Sequence, residues 1–129
     1  MQIHQSAEDY LETILMLTQR MGRVRSIDVV NELGFTKASV SIAMKKLREN
    51  GYIAVDGEGN LTLLEPGREI AERIYSRHRL LTHFFVQLGV DEEVAAEDAC
   101  KAEHILSEQT LEKIRESALR TDAAAQEDE

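Results

Sequence analysis

Cys100, Glu103 and His104 stand at i, i+3 and i+4, so on an α-helix all three side chains leave from one face. A thiolate, a carboxylate and an imidazole form a mixed soft and hard donor set, better suited to a first-row transition metal than to calcium or magnesium. The same spacing also arises on ordinary surface helices. Its meaning depends on whether the remaining residues supply more ligands and something for a metal to control.

The elements that would position these groups are mostly helical. Ser6 reads as an N-cap with Asp9 at N3, and Tyr10, Leu11, Ile14, Leu15 and Leu17 form a helical stripe to about Met21, stopped by Gly22. Ser26 reads as the cap of a short helix through Val29, Val30 and Leu33, closed by Gly34. After a turn at Phe35 and Thr36, a third helix runs from about Lys37 to Asn50, with Val40, Ala43, Met44 and Leu47 on its apolar side and Gly51 at its end. The period then changes. Tyr52–Val55 and Asn60–Leu64 flank the turn-rich Asp56-Gly57-Glu58-Gly59, which predicts a β-hairpin. The only proline, Pro66, opens a long helix to about Leu88, which Gly89 breaks. A further helix is expected from Asp91 or Glu92 to Leu106, and a short one from Ser107 through Leu111 and Ile114. Thr121–Glu129 reads as a disordered acidic tail.

Charge divides along the chain. The net charge is −9, yet residues 20–48 hold seven Lys/Arg against two acids, while residues 70–129 hold seven against 14. A basic stretch can meet phosphates while an acidic region gathers cations. At 129 residues and 43% hydrophobic, with no tryptophan, the chain can build only a modest core, for which self-association is a common remedy. One cysteine excludes an internal disulfide. The expectation is a cytoplasmic protein with no signal peptide and no membrane span.

Three helices followed by a hairpin is the order of a winged helix-turn-helix. In that geometry the second helix of the motif enters the major groove of double-stranded DNA with its first residues at base edges. Here those are Thr36, Lys37, Ala38, Ser39, Ser41 and Ile42, with Ile42 able to touch a thymine methyl. Lys45, Lys46, Arg23 and Arg25 are the candidates for phosphate neutralisation. The fold class is therefore mainly α. Residues 1–66 are expected to form the winged helix-turn-helix domain, 67–120 an all-helical region, and 121–129 the tail.

Five segments in order carry a resemblance: Ala7-Glu8-Asp9-Tyr10-Leu11-Glu12, the helix-turn-helix, Arg77-His78-Arg79-Leu80-Leu81, Gly89-Val90-Asp91, and Glu103-His104-Ile105-Leu106-Ser107. Over roughly residues 5–117 the sequence resembles the DtxR/MntR family of metal-dependent transcriptional repressors. The resemblance implies a homodimer, with 67–120 as its helical dimerisation and metal-binding domain, that binds a palindromic operator when loaded with Fe(II) or Mn(II) and controls metal-homeostasis genes. No small-molecule substrate, and no C-terminal SH3-like domain of the kind some members carry, is expected. It places the metal ligands at Asp9, Glu12, His78, Cys100, Glu103 and His104. Asp9 and Glu12 resemble the manganese-sensing members, whereas Cys100 resembles the iron-sensing ones, and the thiolate tips the expectation toward Fe(II). The ancillary site of iron-sensing members reads as broken, with Thr82 and Ala96 at two of its ligand positions. His4 and His83 match no family position and read as structural or exposed.

Two other classes compete with this reading. A small metalloenzyme built on Cys100, Glu103 and His104 would need an open coordination position and a substrate cleft. The sequence contains no HExxH, no Gly-rich phosphate loop and no nucleophile elbow. A winged-helix interaction module without metal is the third class. The expectation is not an enzyme. The dimer surface is expected around Leu80–Leu88 and the helix ending at Leu106.

Overall fold

The computed structural model describes residues 5–127 and divides into two compact units, the first ending at Arg73 and the second starting at Ile74. In chain order the elements are α1 (Gln5–Met21), α2 (Ser26–Leu33), α3 (Lys37–Glu49), β1 (Ile53–Val55), β2 (Leu61–Leu63), α4 (Glu65–Gln87), α5 (Glu92–Ala102) and α6 (Glu108–Glu127). The mainly helical fold class and the hairpin are as the periodicity predicts. His4 lies outside the described residues.

In the first unit the apolar stripe of α1 becomes the centre of the core. Leu11 and Ile14 are fully buried, and Leu15 and Leu17 nearly so, with Val29, Val40, Met44 and Leu47 from α2 and α3 and Ile53, Leu61 and Leu63 from the strands. Each such large side chain contributes about 1.5–3 kcal/mol by leaving water. The strands pair antiparallel in the register Ile53↔Leu63, Ala54↔Thr62, Val55↔Leu61. Period-two alternation turns Leu61 and Leu63 inward and leaves Thr62 exposed.

The segment before α2 extends this sheet, and that changes how α2 begins. The Leu61 amide donates to the Val24 carbonyl at 2.7 Å, and Arg25 bridges to Asn60. Arg25 is therefore extended and becomes the N-cap, its own amide donating to Asp28 Oδ2 at 2.9 Å. Ser26, expected as the cap, is the first helical residue instead. Gly34 then closes α2. Thr36 caps α3, its hydroxyl accepting from the Ser39 amide at 3.1 Å.

Two glycines hold close approaches. Gly59, in the hairpin turn, has φ +85°, and a Cβ there would come 3.3 Å from the Arg25 guanidinium. Gly67, in the first turn of α4, passes so near the β1 entry that a Cβ would lie 2.2 Å from the Tyr52 carbonyl oxygen. No other residue fits there without moving backbone.

The second unit has a smaller core: Leu81 from α4, Ala99 from α5 and Leu111 from α6, with Leu80, Phe85, Ala102, Leu106 and Ile114 packed against it. Two expectations are corrected here. Helix α5 stops at Ala102 rather than Leu106, because the Glu103 carbonyl is taken by Arg77 at 3.1 Å and the next turn tightens, Ile105 donating to Ala102. The short final helix and disordered tail are instead one helix, α6, continuous to Glu127. Ser107 starts it by accepting from the Thr110 amide, and its alanine-rich end is strongly helix-forming. Asp122 fastens that end to α4, facing His83 Nε2 at 3.1 Å and accepting from Gln87 at 2.8 Å. No helix among the described residues is long and apolar enough to cross a membrane.

Candidate metal centre and nucleic-acid interface

The donors in the second unit converge on one carboxylate. Glu103 is the residue at which α5 ends, and its side chain is 0% exposed. Its Oε2 lies 3.0 Å from Nδ1 of His78 on α4, and its Oε1 lies 3.4 Å from Nε2 of His104, whose side chain is 1% exposed. Oε1 makes no hydrogen bond among the described residues. A carboxylate removed from water requires positive charge or strong donors around it. Two imidazole nitrogens facing its two oxygens can meet that requirement as proton carriers or as co-ligands of a cation. One carboxylate and two imidazoles are a donor set that a first-row divalent ion accepts.

Arg77 builds this wall. Its guanidinium, 14% exposed, donates to the Glu103 carbonyl and also pairs with the Glu108 carboxylate, so both ends of the α5–α6 connection are tied to α4 beside His78. In the sequence Arg77 stands out only as part of the segment Arg77-His78-Arg79-Leu80-Leu81. Its signal was faint: an arginine next to a candidate ligand, with partners 26 and 31 residues away. Cys100, one turn ahead of Glu103 on α5, is exposed and takes part in no disulfide. Thr82 donates its hydroxyl to the His78 carbonyl at 2.7 Å, and Ala96 has no side-chain donor atom.

In the first unit Asp9 and Glu12 lie one turn apart on α1, Asp9 half-buried and Glu12 buried. Burial, with the charge of Asp9 adding to it, raises the Tyr10 phenol above its ordinary range.

The groups predicted to read DNA are on the surface of the same unit. Thr36, Lys37, Ala38, Ser39, Ser41 and Ile42 are exposed along the first turns of α3, as are Lys45 and Lys46 further along it. Ile42, a large apolar side chain, is 58% exposed. Beside them runs a groove of about 240 Å³ lined by Ser26, Ser41, Met44, Lys45, Arg48 and Val55. Ser26 and Arg48 were not among the predicted contacts, and their place follows from the packing of α2 against α3. A second, wider groove of about 580 Å³ includes Arg23 and the hairpin residues Asp56, Glu58 and Asn60. Arg25 is exposed, and its guanidinium lies beside Gly59 of the hairpin turn.

Comparison with known proteins defines the class. Residues 2–61 match the N-terminal DNA-binding domain of iron dependent repressors, and residues 64–121 match their metal-binding and dimerisation domain. An uncharacterised HTH-type transcriptional regulator of Methanocaldococcus jannaschii is 36% identical over 113 residues, covering 86% of this chain and 90% of that one. The HTH-type transcriptional regulator MntR of Bacillus subtilis is 35% identical over 109 residues, covering 84% of this chain and 77% of that one. A solved manganese-dependent transcriptional repressor in complex with manganese superposes with a TM-score of 0.79 at 28% identity, over 87% of this chain and 52% of that one. The chain spans about half the length of that solved repressor. It belongs to the iron-dependent repressor family, the metal-dependent transcriptional repressors that include MntR.

Proposed function

We propose that this protein is a repressor that binds a palindromic operator in double-stranded DNA as a homodimer when it holds Fe(II) or Mn(II), and that it acts in the cytoplasm on metal-homeostasis genes. It is not an enzyme on this reading, its relatives being named transcriptional regulators. The observation that carries the proposal is the buried Glu103 carboxylate facing His78 and His104. Together with Asp9, Glu12 and Cys100 these residues are assigned as the metal ligands.

The bound ion would supply compact positive charge that favours the conformation in which all its ligands point inward. A ligand shifts an equilibrium only by its difference in affinity for the two states. Glu103 and His104 supply donors already shielded from water, held in place by Arg77. Asp9 and Glu12 supply carboxylates from the helix that forms the core of the DNA-reading unit. The exposed residues of α3 then present base-reading and phosphate-binding groups. Paired heads of a dimer match half-sites about one helical turn apart. Exposed Val86, Leu88, Ile105 and Leu119 in the second unit are apolar surface available to the second copy.

The preference for Fe(II) rested on the Cys100 thiolate. With Cys100 exposed, the buried donors are oxygen and nitrogen, which suit Mn(II) as well as Fe(II). The test begins with duplex DNA selected from a random pool by the protein under anaerobic Mn(II) or Fe(II). Retardation of that DNA should require the ion and disappear in the double variant Glu103→Ala, His104→Ala. Retardation unchanged by that variant overturns the proposal.

A further inference from the structure

Tyr10 lies between the two α1 carboxylates assigned to the metal, and it touches the helix-turn-helix. Its ring is 7% exposed and meets the ring of Phe35 edge-on, with centroids 5.9 Å apart and planes at 74°. Phe35 immediately precedes Thr36, whose hydroxyl and carbonyl receive the Ser39 and Val40 amides and so start α3. A helix end is the part of a helix that frays, since its first amides lack intrahelical partners. Phe35 itself is 45% exposed and lies outside the buried core.

We infer that the Tyr10–Phe35 ring pair is a positioning contact through which a metal held by Asp9 and Glu12 orders the cap of α3 within the first unit. The inference rests on the metal-site reading above. An ion gripping Asp9 and Glu12, one helical turn apart, fixes the backbone of the turn that carries Tyr10. The Tyr10 ring then has one orientation, Phe35 has one seat against it, and the two α3 cap amides are held closed more of the time. Tyr10 and Phe35 touch neither the ion nor a base in this scheme. They transmit order.

The experiment follows deuterium exchange at residues 34–42 of the full chain with and without Mn(II) alone, alongside calorimetry of Mn(II) binding. In the parent, Mn(II) should slow exchange at Ser39 and Val40 by about two- to tenfold, the range set by one edge-to-face ring pair. Phe35→Ala and Phe35→Leu should remain folded and lose that slowing. Their Mn(II) affinity should fall by no more than the same factor, as reciprocity of coupling requires. Tyr10→Phe keeps the ring and should keep the slowing, whereas a merely structural contact would lower thermal stability without touching the difference made by Mn(II). Slowing that survives in both Phe35 variants, or Mn(II) binding to the parent with no change at 34–42, overturns the inference. A parent chain that binds neither Mn(II) nor Fe(II) overturns the metal-site reading beneath it.

Discussion

The face of α3 and the pocket around Glu103 use charge in opposite ways. Lys37, Lys45 and Lys46 stand in water on flexible stems, and Lys45 meets Glu49 only at 4.0 Å. Glu103 has no exposed side-chain surface and is surrounded by groups that must be in place together. Exposed charges are screened by salt, act nearly independently and tolerate loss one at a time. Buried ones are coupled, and removing one partner strands the others. A DNA reader benefits from the first arrangement and an ion sensor from the second.

The most damaging test of this contrast is Glu103→Gln, which keeps volume and removes the charge. Mn(II) affinity by calorimetry should fall by more than about 100-fold, beyond the effect of losing an outer-shell partner, while the metal-free protein stays folded. A fall of only a few-fold would place Glu103 with the surface charges. Gly67→Ala separates packing from charge. The added methyl collides with the Tyr52 carbonyl oxygen, and thermal unfolding should show a loss of about 1–3 kcal/mol, as for overpacked sites. Lys45→Ala and Lys46→Ala should each weaken binding on every DNA sequence and lower the salt slope by about one in retardation titrations, with no change in Mn(II) affinity. If the two losses are strongly non-additive, the independence assigned to the exposed face fails.

The smallest effect is acidic. The Asp56 carboxyl is held below its ordinary range, first by the Asn60 amide and then by the Asn60 side chain, with Glu58 and Gly59 adding to this. A lowered folded-state value means the contribution is present at neutral pH and lost only as pH falls through that lowered value. The Asn60 amide resonance should therefore titrate at lower pH in the folded protein than the same group in the unfolded chain.

What could be read beforehand followed locality. The stripe of α1, the Gly34 stop and the hairpin turn at Asp56–Gly59 are short-range signals, and each lies where periodicity and turn chemistry put it. The misplaced boundaries were set by distant partners. Arg25 replaced Ser26 as cap because Asn60 draws the preceding backbone into the sheet. Helix α5 ended early because Arg77 captured the Glu103 carbonyl. Spacing on a helical face singles out Glu103 and His104, whereas both residues lie past the last turn of α5. That spacing carries no sign of Arg77, whose partners are 26 and 31 residues away.

The hairpin turn has one more consequence. Both Asp56 oxygens accept from donors inside the turn, Oδ1 from the Glu58 and Asn60 amides and Oδ2 from the Asn60 side chain, so its anion persists at neutral pH beside exposed Glu58. A duplex that arrives tip-first meets two fixed negative charges, and one that arrives along α3 meets lysines. Phosphates are therefore disfavoured at this tip and favoured along α3.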